Sequence, residues 1–177
     1  RLVDASVTKL RKKDLDWADC AFISGMTVQR ESARRIIARC KEAGLKVVAG
    51  GPLFTMEHEQ FEEVDHFVLN EAELTLPEFL EDLRRGNARR VYTSSGFPDI
   101  EKTPVPMWEL ADMDRYGTMS IQFSRGCPYN CEFCNVTSLF GHRPRTKTVP
   151  QILAELDGLY DLGWRGNVFF VDDNLIG

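Results

Sequence analysis

The sequence lacks several features that would place it in other classes of protein. No apolar run in its 177 residues approaches the length of a transmembrane helix. There is no internal repeat and no low-complexity tract. A net charge of -5 argues against a nucleic-acid partner, which would favour a basic surface. Hydrophobic content of 43% and charged content of 28% are typical of globular proteins, so we expect one domain or two small ones.

Cysteine usage also argues against a secreted, disulfide-stabilised protein. The chain has five cysteines, an odd number, and three of them are clustered. This pattern favours a reducing, cytoplasmic setting and a metal site. Cys20 and Cys40 fit small buried core residues, and we assign them no chemistry.

The first half of the chain alternates strand-like and helix-like segments. Strands are predicted at residues 1–7, 19–24, 46–49 and 66–69. Thr27 is a candidate N-cap for one helix, and Thr75 with Glu78 forms a candidate capping box for another. Such alternation predicts an α/β fold with a doubly wound parallel sheet, which binds ligands at the carboxyl ends of its strands.

A proline-containing stretch then interrupts the alternation, and we interpret it as a linker. The pattern restarts with a strand at 118–124, a helix that begins at a capping box of Thr148 and Gln151, and a strand at 167–171. These are the first β/α units expected of a barrel. We therefore predict an α/β domain at 1–91 whose first strand is missing, a linker at 92–117, and part of a barrel at 118–177. Because the sequence begins and ends in strand-like segments, we expect an internal fragment of a longer protein, inactive alone.

Three cysteines follow the first strand of the second half closely. Cys127, Cys131 and Cys134 are separated by three and two residues on one short loop. Three thiolates are one too few for a closed tetrahedral zinc site. They suit a four-iron, four-sulfur cluster with one open iron. A zinc site with a fourth ligand from elsewhere, such as His142, is the alternative.

The Cys-x-x-x-Cys-x-x-Cys spacing, with the lead-in Arg125-Gly126-Cys127-Pro128 and Phe133 before the last cysteine, resembles the radical S-adenosylmethionine (SAM) superfamily. The resemblance implies that the three cysteines hold a [4Fe-4S] cluster and that SAM chelates its fourth iron. It also implies reductive cleavage of SAM to a 5'-deoxyadenosyl radical. The residue matching Phe133 would pack near the adenine, and we expect Phe123, Phe133 and Phe140 to bury the loop.

Asp172-Asp173-Asn174 follows the last predicted strand, where the superfamily often places residues that contact SAM. We therefore predict Asp172 and Asp173 as cofactor-binding residues, since carboxylates suit an ammonium or a ribose hydroxyl. The alternative is a polar turn at the end of the strand.

The first half resembles the cobalamin-binding domain that precedes the barrel in one radical SAM class. Ser24-Gly25-Met26 matches the Ser-x-Leu pattern of that domain, and Gly50-Gly51 matches its later Gly-Gly. The resemblance implies that Ser24, Gly50 and Gly51 line a cobalamin site. The Asp-x-His-x-x-Gly motif whose histidine ligates cobalt is absent from this sequence. Asn70-Glu71-Ala72-Glu73 matches a Gly-Glu-Gly-Glu-type turn with both glycines replaced.

The runs GHRPRTKT, LYDLGWRG and VDDN resemble the group that includes the hopanoid C-2 methylases. This resemblance implies a cobalamin-dependent radical SAM methyltransferase acting on an unactivated carbon. Its substrate would be a small molecule or lipid, and flavodoxin or ferredoxin would supply electrons. Another radical SAM reaction, such as methylthiolation or cyclisation, remains an alternative. So does a zinc or iron-sulfur module with a structural or electron-transfer role.

Overall fold

The computed structural model describes residues 1–175, which form two compact units. One unit is Leu10–Pro98, and the other combines Arg1–Lys9 with the chain from Asp99 onward. Within residues 1–175, no helix combines the length and apolar character needed to cross a membrane.

The unit Leu10–Pro98 is an α/β layer structure. In chain order its elements are α1 (Lys12–Trp17), β1 (Cys20–Ser24), α2 (Arg30–Glu42), β2 (Lys46–Gly50), α3 (Pro52–Glu57), β3 (His66–Val68), α4 (Ala72–Arg84) and β4 (Val91–Tyr92). The four strands form one parallel sheet in the order β1-β2-β3-β4. The predicted parallel α/β fold is confirmed for this unit.

Alternating side chains of the strands bury opposite faces of this sheet, as the pleat requires. On one face, Val47 packs in a core that includes Ile37 of α2 and Phe54 of α3. On the other face, Val48 packs with Phe79 of α4. Helices therefore cover both faces, which explains the near-continuous apolar runs of β2 and β3.

Two predicted helix starts in this unit are wrong. Thr27 lies inside a short 3₁₀ helix, Thr27–Gln29, and α2 begins only at Arg30. Helix α4 begins earlier than predicted, at Ala72, so Thr75 lies inside it. The Thr75 hydroxyl donates to the Leu69 carbonyl at 3.0 Å and does not cap the helix.

The second unit contains β5 (Thr118–Ile121), β6 (Ser124–Arg125), α5 (Val136–Phe140), β7 (Arg145–Thr146), α6 (Val149–Asp161) and β8 (Asn167–Phe170). Strands β5 and β8 pair in parallel, with α6 in the crossover between them. Strands β6 and β7 form a separate antiparallel pair. The helix begins at the predicted capping box, in which Thr148 N–H donates to Gln151 Oε1 at 2.9 Å. A barrel from these strands stays a prediction.

The amino-terminal segment is not the predicted strand. Residues 5–7 form a turn, in which Ser6 N–H donates to Asp4 Oδ1 at 2.8 Å and Thr8 N–H donates to the Asp4 carbonyl at 2.8 Å. Aspartate side chains favour such turns because they bond to nearby backbone donors. Tyr116 Oη donates to Asp4 Oδ2 at 2.8 Å, which ties this segment to the second unit.

The segment predicted as a linker packs largely within the second unit. Gln151 Nε2 donates to the carbonyls of Ile100 and Thr103 at 3.1 and 3.3 Å. Trp108 packs against the core that contains Met119 and Ile152, whereas Met107 is exposed. The compact units therefore divide the chain at 9/10 and 98/99, and the functional domain ranges 1–91, 92–117 and 118–177 stay a prediction.

A buried ion pair joins the start of α6 to the chain just before it. Lys147 Nζ lies 2.5 Å from Glu155 Oε1, and the two side chains are 8% and 3% exposed. We expect Glu155→Leu to lower the free energy of unfolding by about 3–5 kcal/mol, because the ammonium of Lys147 is left buried without its partner. Denaturant unfolding measures this loss. Lys147→Met combined with Glu155→Leu is expected to recover most of it, and Asp112→Asn, in the exposed pair with Arg115, serves as the control. Equal losses in the single and double variants would contradict this.

Asp65 makes the stability of the first unit depend on pH. Burial raises its pKa, but hydrogen bonds from Lys41 Nζ and Val47 N–H outweigh that effect and hold it below 3.8. A depressed folded-state pKa means that the contribution is present above the unfolded-state pKa and is lost as pH falls through the folded-state pKa. We therefore expect Asp65→Asn to be less stable than the parent at pH 6, with the gap closing as the medium is acidified below about pH 4. Urea midpoints measured across this range, with Glu63→Gln as control, test it; a gap that stays constant with pH would argue against this role.

Candidate functional site

The three clustered cysteines lie on a loop between β6 and β7. Because these strands pair antiparallel, the two ends of the loop are held side by side. Cys127 N–H donates to the Gly141 carbonyl at 3.2 Å. Gly126 has a φ of +94°, and a Cβ there would lie 2.6 Å from the Arg143 carbonyl oxygen. Only glycine therefore fits at the entrance of the loop.

The structure does not gather the three thiols into a metal-binding group. Cys127 and Cys134 are half-buried and Cys131 is exposed, with Cys134 N–H donating to the Cys131 carbonyl at 3.0 Å. Among residues 1–175, no three His, Cys, Asp or Glu side chains are close enough together to hold a metal ion. The chemistry of three thiolates on one loop nevertheless fits an iron-sulfur cluster. The assignment of Cys127, Cys131 and Cys134 as ligands stays a prediction.

The prediction that three phenylalanines bury this loop is wrong for one of them. Phe133 is 93% exposed, whereas Phe123 and Phe140 are half-buried. The predicted contact of Phe133 with an adenine stays a prediction.

Asp172 is held by the protein's own backbone. Its Oδ2 accepts from Phe123 N–H at 3.2 Å, and its Oδ1 accepts from Ser124 N–H and from Ser124 Oγ, the latter at 2.6 Å. These bonds explain why the predicted strand at 118–124 is broken, with β5 ending at Ile121 and β6 beginning at Ser124. The alternative of a polar turn at the strand end describes Asp172, and its binding to a cofactor stays a prediction.

The other two residues of this turn differ from Asp172. The residue Asp173 is exposed as a whole. The pKa of its carboxyl group is nevertheless raised, first by partial desolvation of that group and then by the neighbouring charge of Asp172. Asn174 Nδ2 lies 3.9 Å from Cys127 Sγ. Sequence reasoning missed Ser124 and Asn174. The polar triplet directly after a strand was the available signal, but it did not show which side chain meets which group.

The three residues predicted to line a cobalamin site lie together at the carboxyl ends of β1 and β2. Ser24 is the register partner of Gly50, and Gly50 in turn is the partner of Val68. A Cβ on Gly50 would lie 2.5 Å from the Val68 carbonyl oxygen, and one on Gly51 would lie 2.4 Å from Ser24 Oγ. The packing of the protein itself therefore requires both glycines.

A polar cluster lies at the end of β3 in the same sheet. Asn70 has a φ of +62°, and its Oδ1 accepts from Thr93 Oγ1 at 2.7 Å and from Ser94 N–H at 3.2 Å. Its own N–H donates to Thr55 Oγ1 at 2.9 Å. A left-handed backbone at Asn70 explains why glycine occurs here in the turn that this sequence resembles. Sequence reasoning missed Thr55, Thr93 and Ser94, which are far apart in the chain.

Relatives in sequence share the whole length of this chain. The chain is 45% identical to an uncharacterized methyltransferase of Synechocystis sp. and 37% identical to the hopanoid C-2 methylase of Rhodopseudomonas palustris, in both cases over 100% of its length. It spans about a third of these proteins, 33% and 34% respectively. No family model matches the chain.

A solved structure shares the fold. The radical SAM methyltransferase TsrM of Kitasatospora setae, solved with tryptophan and a SAM analogue bound, matches 91% of this chain and 38% of its own length, with a TM-score of 0.68 and 17% identity. At this level of identity the likeness shows a shared fold. The predicted resemblance to the hopanoid C-2 methylase is confirmed as a similarity along the whole length of this chain.

Gly51 has a backbone conformation, φ +82° and ψ -175°, that is essentially restricted to glycine. We expect Gly51→Ala to lower the free energy of unfolding by about 1–3 kcal/mol in the absence of any cofactor. Denaturant unfolding of the cofactor-free protein measures the effect. Adding Ser24→Ala should relieve only the contact with Ser24 Oγ and leave the backbone strain.

Gly96→Ala is the matched control, because the added methyl group there would make only ordinary contacts at 3.7 Å or more. If Gly51→Ala unfolds like the parent, the protein's own packing does not explain this glycine.

Proposed function

We propose that this chain is part of a cobalamin-dependent radical SAM enzyme that cleaves SAM reductively at a [4Fe-4S] cluster and methylates an unactivated carbon. One observation carries the proposal. The cysteine loop follows the parallel strand β5, at its carboxyl end, in a chain that is 37% identical to a hopanoid C-2 methylase over its full length.

In this proposal Cys127, Cys131 and Cys134 hold three irons of the cluster. When bound there, the cluster would supply the electron for reductive cleavage of SAM, and SAM would bind at the iron that has no cysteine ligand. The chain's part is to hold the two ends of the loop and to present the strand ends beside it. Phe133 and Asp173, both exposed, are available to a cofactor.

The parallel sheet of the first unit supports cobalamin binding. Parallel sheets bind ligands outside the carboxyl ends of their strands, and Ser24, Gly50 and Gly51 meet at that edge. Both glycines are only half-buried, so part of their backbone is exposed to a ligand at that edge. Cobalamin would supply the methyl group that is transferred.

The partners follow from this chemistry. The proposed substrate is a small molecule or lipid, and a flavodoxin or ferredoxin would donate the electron. Thiolate ligation of a low-potential cluster also favours a reducing compartment, so we propose a cytoplasmic location.

The cluster can be tested directly in the protein that carries this chain. After anaerobic reconstitution we expect about four irons and a paramagnetic resonance signal, in the reduced protein, that changes when SAM is added. Cys131→Ala should lose the cluster, because it removes one of three ligands. Cys20→Ala, a half-buried strand residue outside the loop, should keep it.

The same samples separate the alternatives. Tight zinc binding without a four-iron cluster would contradict the proposal and make the loop a structural module. A cluster whose signal ignores SAM would indicate an electron carrier. A SAM-responsive cluster in a protein that releases deoxyadenosine but transfers no methyl group would indicate another radical SAM reaction.

A further inference from the structure

The turn after β8 is bonded to the chain that leads into the cysteine loop. Strand pairing between β5 and β8 continues one step beyond the strands, where Val171 N–H donates to the Ile121 carbonyl at 2.9 Å. At the next residue, Asp172, the hydrogen bonds to the neighbouring chain are made by the side chain and not by the backbone. Asp172 accepts from the N–H groups of Phe123 and Ser124, which would otherwise lack a strand partner on that side.

Ser124 is the residue through which this contact reaches the cysteines. It is 4% exposed, and its hydroxyl as well as its N–H donates to Asp172 Oδ1. It is also the register partner of Thr146 in β7, so it belongs to the pair that closes the base of the loop. Cys127 follows three residues later. Hydrogen bonds to an ionised acceptor are stronger than those between neutral groups, so Asp172 restrains β6, the strand that leads into the cysteine loop.

A second contact from the same turn reaches the first cysteine itself. Asn174 Nδ2 lies 3.9 Å from Cys127 Sγ, at the outer range for a hydrogen bond to sulfur. The turn that begins at Asp172 therefore meets the cysteine loop both at its backbone and at a sulfur. Groups that orient ligands and donate to their sulfurs tune an iron-sulfur site.

We infer that Asp172 is a positioning residue for the cysteine loop, acting through Ser124 on Cys127, and not a residue that contacts SAM. Both of its carboxylate oxygens accept hydrogen bonds from the loop entrance, and these three donors leave only about one of its four acceptor positions for a SAM ammonium. The inference rests on the proposed function only for the identity of the group that the loop holds.

The first test needs no cluster. In the metal-free protein, amide hydrogen exchange at residues 123–127 should be at least about tenfold faster in Asp172→Asn than in the parent. Asp172 uses a different oxygen for each N–H group, whereas asparagine has an NH2 group in place of one oxygen and carries no charge. Ser124→Ala, which removes one of the three bonds, should give a smaller increase. Asp161→Asn, an exposed carboxylate at the end of α6, is the matched control and should leave this exchange unchanged.

The second test uses the cluster-loaded protein. Asp172→Asn and Ser124→Ala should both shift the reduction potential of the cluster, while the affinity for SAM stays within about threefold of the parent. A purely structural role would change stability without moving the potential. A tenfold or greater loss of SAM affinity in Asp172→Asn, with unchanged exchange at 123–127, would overturn the inference and restore the cofactor-contact role.

The two tests also separate this inference from the proposed function. If the parent protein forms no cluster, the proposed function fails, yet the exchange measurement still decides whether Asp172 restrains the loop. If the cluster forms and responds to SAM but exchange at 123–127 is the same in the parent and in Asp172→Asn, the inference fails and the proposed function stands.

Discussion

The second unit depends on hydrogen bonds that a side chain, not the backbone, completes. Strand β5 cannot continue into the cysteine loop as a strand, because the chain must leave the sheet there. The connection from β6 to β7 then takes 19 residues, 126–144, and most known connections are shorter. The backbone donors at that departure still need acceptors. Asp172 supplies them from the end of the neighbouring strand. The same bonds let β5 stop at Ile121 and let a second, antiparallel pair begin at Ser124.

A buried ion pair then fixes the other end of the loop. Lys147 donates its N–H to the Phe123 carbonyl at 2.8 Å, while its ammonium reaches Glu155 inside α6. Phe123 is thus bonded on one side to Asp172 and on the other to Lys147. A buried ion pair adds little stability by itself. Separating Lys147 from Glu155 would, however, leave a buried charge without a partner, so arrangements that separate them are strongly disfavoured. The entrance and exit of the loop are therefore held by charged groups, whereas its middle, around Cys131 and Phe133, is exposed.

Local sequence patterns predicted the elements well where one side chain or one period decides the outcome. The alternation of apolar runs predicted the parallel sheet, and the Thr148–Gln151 box predicted the start of α6 because its two bonds are made within four residues. The same motif gave a wrong prediction at Thr75, whose hydroxyl donates to the Leu69 carbonyl and does not cap the helix. Contacts between distant residues were beyond such patterns. Tyr116 with Asp4, and Asp172 with Ser124, are 112 and 48 residues apart in the chain.

The candidate sites also show what a sequence motif cannot predict. The motif predicted that Ser24, Gly50 and Gly51 line a cofactor site, yet both glycines are also required by neighbouring protein atoms. These two explanations do not compete, because both glycines remain half-buried at the carboxyl edge of a parallel sheet, which is where ligands bind. For Asp172 the explanations do compete, since three donors already occupy three of the about four acceptor positions of its carboxylate. A motif residue keeps its expected role only where the fold leaves its chemical group free to perform it.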